Sequence, residues 1–517
     1  MLNFVKKITE DELLKQSILY TFILGLAAHA YCFFNLTISH DSLRAFYIAG
    51  KWPKASLGRI FYSAYITLTR GKIVLPWLIG VLALLWISLS VYLLTCMFQV
   101  EKRMFVFLIA GVCVTNPSVY ATAATYLHDL DANAFAIFLA VAAAYLWDKG
   151  IQKSDKKTGF MQLGTGAVIL SVCLGIYQSF ISVTITLVMI VSVKNLLNGR
   201  KYTDVLVNGI SGVGMLAGSA ALYLLEVKLF SNLTGIDILN NDSYNGLGNI
   251  SHVFSGDILT KITDTYVSFI NAYKNLILTS DPEKLILAVH GILMLGIVVI
   301  TCIGLKELEL GSRILFAVLG ILMPFGMNVS SFLSNGMYHV LMQYAVWFLY
   351  LLALILVLWL SQEKSAAEVI NRGIGILVVL CVCLTIMENI QTANTIYVKK
   401  ELEYDSTLSY MTRVADCMEE EKGYIPGETP VAFIGEYAIG KSRTGFEKYE
   451  VITGIGYDSP ITFYDTYKDY FKYVLGRPIS LTEADSFENN EIVSEMPVFP
   501  NEGSIYMIDD TLVVKLK

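Results

Sequence analysis

Long apolar runs separated by short charged segments dominate the pattern of this chain. The first, residues 18–38, is about the length that crosses a bilayer as a helix. Further runs follow at 73–98, 104–122, 130–147, 160–193, 205–225, 285–305, 314–360 and 373–387. Residues 160–193 are long enough for one tilted helix or two short ones, and both this region and 314–360 are bounded on both sides by basic loops. Because Lys and Arg favour the cytoplasmic side, each of these two regions is expected to cross twice. The count comes to eleven spans. Met1–Gln16, carrying Lys6, Lys7 and Lys15, then reads as a retained cytoplasmic segment without a cleavable signal. Everything after Glu388 falls outside. Residues 226–283, rich in Asn, Asp, Ser and Gly, read as a long external loop, of the length that usually carries function or moves.

Composition supports the membrane reading: 55% of the 517 residues are hydrophobic and 16% are charged, against roughly a quarter charged in soluble domains. Mean hydropathy is +0.57. A net charge of −6 without a basic stripe argues against a nucleic-acid partner. Seven of the 8 cysteines sit in apolar runs, and only Cys417 lies in polar sequence, so the polar tail has no partner for an internal disulfide. No Cys/His spacing suggests a metal, and no cofactor motif is present.

From about residue 392 the composition becomes that of a soluble domain. Residues 399–422 read as a helix, 431–435 as a buried strand, and 504–508 with 512–516 as a hairpin turning at Asp509 and Asp510. The chain therefore divides into a membrane-embedded part, 1–391, with external loops 39–72 and 226–283, and a small external α/β domain, 392–517.

Topology places four polar clusters on the external side: His40, Asp41, Arg44 and Arg59; His128, Asp129 and Asp131; Tyr177 and Gln178; Tyr338 and His339. Each has a plainer reading. Asp41 is equally suited to cap the helix that Ser42 begins, and Asp131 to cap the fourth span. His128 also reads as an interfacial histidine, and Gln178 as a side chain that satisfies backbone groups at a turn. The first external loop violates the charge bias with Arg44, Lys51, Lys54, Arg59, Arg70 and Lys72. Lys51, Lys54, Arg70 and Lys72 are expected to snorkel to headgroups, which leaves Arg44 and Arg59, among apolar neighbours, as the functional cations. A carboxylate beside arginines at the membrane surface suits glycosyl transfer from a lipid phosphate. A base deprotonates the acceptor hydroxyl and cations stabilise the departing phosphate. Proton-coupled transport could use the same residues, but transporters usually place their charges near the midplane, whereas these lie at span ends.

The HDSL stretch at His40–Leu43, LGR at Leu57–Arg59, GIYQSF at Gly175–Phe180, YHVLMQYA at Tyr338–Ala345 and the closing VVKL follow in the order seen in one family. The chain resembles the Gtr-type glucosyltransferases of bacterial serotype conversion, membrane enzymes of the GT-C superfamily. That resemblance implies a GT-C-like fold and transfer of a hexose, glucose in the family, from a polyprenyl-phosphate carrier to a cell-surface glycan, such as an O-antigen or teichoic acid. Transfer would take place on the outer face of the cytoplasmic membrane. It makes Asp41 the catalytic base and Arg44 and Arg59 phosphate ligands; this chain has Asp41-Ser42 where many relatives have two adjacent acidic residues, which leaves Asp129 or Asp131 as the candidates for a second carboxylate. It also implies a lipid-linked-sugar synthase and a flippase in the same pathway. The alternative from another class is a transporter or flippase of a lipid-linked glycan.

Overall fold

The computed structural model describes residues 11–36, 38–39, 42–43, 53–71, 74–241, 247–248, 257–334, 338–362, 368–435, 437, 446–452, 455, 460–461, 463–488 and 490–517. Among them, ten helices are long and apolar enough to cross a membrane, the make-up of a multi-pass membrane protein. The eleventh expected segment is present as a shorter apolar stretch, Tyr344–Leu360. The expected double crossing of 160–193 is two helices, Lys156–Leu174 and Ile181–Leu197, joined at Gly175–Tyr177.

Local signals set the helix ends. The Asp11 carboxylate accepts from the amides of Leu13 and Leu14 at 3.0 and 3.1 Å ahead of Glu12–Phe34. Asp155 caps Lys156–Leu174 in the same way through Lys157 and Thr158. Pro117 breaks the third span. The Asn116 carboxamide spans the break, donating to Val112 O at 3.0 Å and accepting from the Ser118 amide at 3.1 Å.

Two expectations are corrected. The described part of 226–283 is largely helical, because Tyr202–Thr234 continues into it and a further helix occupies Ile258–Thr279. Asp257 caps the latter, and Thr265, Ala272, Leu276 and Thr279 form its buried stripe at helical spacing. A polar composition concealed that periodicity. The expected separate helix at 399–422 is instead the end of one continuous helix, Glu368–Glu420. No glycine or proline between Gly375 and Gly423 interrupts it.

The chain forms two compact units. The first comprises Met1–Phe34, Lys51–Ala123 and Asp129–Asn394. The second comprises Asn35–Gly50, Ala124–His128 and Thr395–Lys517. The second contains a four-stranded sheet in the order β2 (Ser480–Leu481), β1 (Pro430–Ile434), β4 (Thr511–Lys515), β3 (Ile505–Ile508). β1 runs parallel to β2 and β4, while β3 and β4 form the expected antiparallel hairpin, with Asp509 in the left-handed region at φ 52°. Its core joins Val431, Phe433 and Val514 to Met411 and Val414, and takes in Ile38 at the end of the first apolar run and Leu43 just after it. Ser39 donates to Thr125 O at 2.5 Å, pinning the other early piece to the same unit.

Candidate functional site

The polar centre of the first unit is built on the turn after the short helix Pro53–Ser56. Gly58 has φ 82°, a left-handed conformation that glycine adopts without strain. A Cβ there would lie 2.7 Å from both Gln178 Nε2 and Leu247 Cδ1. Two side chains fasten the turn. Gln178 donates to Leu57 O at 2.9 Å and to the Tyr223 hydroxyl at 2.8 Å, and Tyr223 donates to Gly58 O at 3.0 Å. The Phe61 amide donates to Gly175 O at 2.8 Å. The LGR and GIYQSF stretches, more than a hundred residues apart in sequence, are thus one local structure.

The fastened turn aims Arg59. Its guanidinium lies 4.2 Å from the centre of the Tyr177 ring, and Nη1 is 4.0 Å from Asp129 Oδ2. The side chain is 16% exposed, and its guanidinium donates no hydrogen bond to any described residue. Asp129 is buried at the start of Leu130–Ile151. Its Oδ2 accepts from Lys54 Nζ and its Oδ1 from the Tyr62 hydroxyl. Burial, with the Asp129 carboxylate beside it, holds the Tyr62 phenol well above its ordinary pKa, so the phenol remains a donor. Lys54 also sits 4.5 Å from the Tyr62 ring centre.

Asp131 is completely buried and engaged by Arg70, with Nε to Oδ2 at 2.9 Å and Nη2 to Oδ1 at 3.4 Å. The expectation that Lys54 and Arg70 snorkel to headgroups is therefore corrected. Both turn inward to carboxylates of the second polar cluster, because a buried carboxylate without a counter-charge costs far more than folding a long cationic side chain back. Lys51 and Lys72 lie outside the described residues.

Tyr338 donates to Asn328 Oδ1, and Asn328 Nδ2 donates to Thr265 O at 2.8 Å. Burial holds the Tyr338 phenol well above its ordinary pKa, with the Tyr177 phenol adding to the rise. His339 is half-buried, and its carbonyl accepts from the Met342 amide at 2.9 Å.

Of the residues singled out in the sequence, Arg59, Asp129, Tyr177 and Gln178 meet in one locus, Asp131 lies two residues along from Asp129, and Tyr338 is tied to Asn328. His128 belongs to the second unit, where its ring lies 6.3 Å from that of Tyr126. His40, Asp41 and Arg44 lie outside the described residues. Sequence reasoning passed over Lys54, Tyr62, Arg70 and Tyr223. The signal for Lys54 and Arg70 was the violated charge bias, whereas Tyr223, inside an apolar helix, offered none.

A mostly buried guanidinium that gives no hydrogen bond to a described residue can donate to an oxyanion. No curated protein matches the chain closely. The family model for glucosyl transferase GtrII matches residues 30–332, a stretch that contains the LGR turn, Asp129, Tyr177 and Gln178 and exceeds half the chain. The chain belongs to the GtrII glucosyltransferase family.

Proposed function

We propose that this glucosyltransferase takes its hexose from a polyprenyl-phosphate carrier and adds it to a cell-surface glycan at the outer face of the cytoplasmic membrane. In this reading the chain crosses eleven times, with the N-terminus inside, the 392–517 domain outside and a GT-C-like membrane domain. The acceptor hydroxyl oxygen attacks the anomeric carbon as the bond from that carbon to the phosphate oxygen breaks. Asp41 takes the hydroxyl proton. Polyprenyl phosphate leaves with the bonding electron pair, and Arg44 and Arg59 stabilise its added charge. In this reading Asp129, which accepts from Lys54 and Tyr62 and lies 4.0 Å from Arg59, orients the cations.

The observation that carries the reading is Arg59. A guanidinium at 16% exposure, stacked on Tyr177 and giving no hydrogen bond to a described residue, holds its planar fork ready for an oxyanion. Arg70, by contrast, spends its fork on Asp131.

The test is made in purified, reconstituted protein with labelled polyprenyl-phosphate hexose and the glycan. Release of polyprenyl phosphate together with sugar transfer is expected. Asp41→Asn is expected to slow transfer by roughly two or more orders of magnitude while donor binding stays near normal, since Asn caps a helix about as well as Asp. Near wild-type turnover in Asp41→Asn would end the base assignment. Movement of the lipid-linked sugar across the bilayer without polyprenyl phosphate release would favour a flippase.

A further inference from the structure

The first unit also holds a cavity of about 1010 Å³ between the start of Arg103–Thr115, the end of Phe348–Leu360 and the start of Glu368–Glu420. The 23-residue stretch Arg103–Thr125 separates this end of the unit from Asp129. At 1.5 Å per residue that is roughly 35 Å. We propose that this cavity binds one anionic phospholipid, its phosphate held by Lys102, Arg372 and Asn371 and an acyl chain lying against Phe105, Val357 and Leu380.

Three observations carry the assignment. Asn371 lines the cavity and is 7% exposed, yet its carboxamide exchanges no hydrogen bond with any described residue. Its amide atoms are not among the fully buried unpaired ones, so they are accessible and free to donate to a headgroup oxygen in the cavity. Next, the wall is apolar and opens sideways. Ile376 and Leu380 line the cavity and are 60% and 51% exposed on a helix apolar enough to cross a membrane. A ligand can therefore enter from the hydrocarbon, which selects a lipid over a soluble anion.

The third observation is charge. Among the described residues the lining carries Lys102 and Arg372 against one acid, Glu368. Arg372 contacts Glu368 at 2.6 Å, but with side chains 75% and 62% exposed this is a surface pair that a phosphate can displace. Lys102 precedes a helix whose first turn has no acidic residue and whose N-cap side chain makes no capping bond, so the amides there add positive potential. Basic pockets between spans at the cytoplasmic side suit anionic headgroups, and the charge bias assigns this end to the cytoplasm. The inference goes beyond the transfer reaction and does not depend on the roles of Asp41 or Arg59.

The test is native mass spectrometry of the full chain released from nanodiscs containing phosphatidylglycerol and phosphatidylcholine. Wild-type protein is expected to retain one phosphatidylglycerol in preference to phosphatidylcholine. Lys102→Ala and Arg372→Ala are each expected to lower that retention about fivefold. Asn371→Asp, nearly isosteric but of the wrong charge, is expected to lower it with an unchanged melting temperature. Val379→Trp, which fills the cavity, is expected to exclude both lipids. Equal retention of the two lipids by wild type would overturn the proposal. So would phosphatidylglycerol retention unaffected in all four variants, or displacement of the lipid by inorganic phosphate alone.

Discussion

Replacing Arg59 with lysine isolates the feature on which the site reading rests. The side chain gives no hydrogen bond to a described residue and is held by the Tyr177 face at 4.2 Å and by Asp129 at 4.0 Å. The turn that aims it is fastened by backbone contacts from Gln178 and Tyr223 that the substitution leaves in place. Lysine keeps the charge but loses the planar fork, and with it one of the two parallel hydrogen bonds a phosphate can accept from arginine. A hydrogen bond to a charged group contributes about 1.5–3 kcal/mol, so kcat/KM for the lipid donor is expected to fall roughly 10- to 150-fold. Charge on the leaving phosphate grows toward the transition state. Part of the loss should therefore appear in kcat as well as in KM for the donor. Native stability loses only some of the cation–π contact, about 0.5–1 kcal/mol, and the melting temperature should barely move. Initial rates across a donor titration, with thermal unfolding in parallel, make the measurement. An unchanged kcat/KM would refute the oxyanion role, and a loss that tracked a large fall in melting temperature would reassign Arg59 as a structural prop.

Three further outcomes are expected. Arg70→Met should destabilise the fold by about 3–5 kcal/mol by stranding a buried Asp131, and Arg70→Met with Asp131→Leu should recover much of that. Single and double variants that unfold like wild type would contradict the ion-pair argument. Cys417 is exposed, so a membrane-impermeant maleimide should label it in wall-stripped cells, whereas labelling only after permeabilisation would invert the topology. Transfer should persist in a chelator, because guanidinium and ammonium groups suffice to neutralise the leaving phosphate; activity lost on chelation and restored by a divalent cation would overturn that view.

Much of this molecule is legible residue by residue. The crossing helices follow from apolar runs of bilayer length, since a buried backbone there must satisfy its hydrogen bonds within the helix. The hairpin at Ile505–Lys515 follows from two short alternating runs around Asp509 and Asp510, and β1 from an apolar run of strand length. Loop charge alone distinguished one long apolar region from the helix pair Lys156–Leu174 and Ile181–Leu197. These are local signals, in which period, length and flanking charge are carried by neighbours in sequence.

What the tertiary structure alone decided is which distant polar residues share a partner. Lys54 and Arg70 have the composition of headgroup anchors, and their inward turn toward Asp129 and Asp131 depends on where the Leu130–Ile151 helix begins relative to Tyr62–Thr69. The Leu57–Arg59 turn acquires meaning only when Gln178 and Tyr223 reach it from other helices. Ile38 and Leu43 join the core of the tail through contacts with residues several hundred positions away. A sequence displays the cost of each charge and the reach of each side chain. The identity of the group that offsets that cost is set by packing, because counter-charges and hydrogen-bond partners act through a few ångströms of space whatever their separation along the chain.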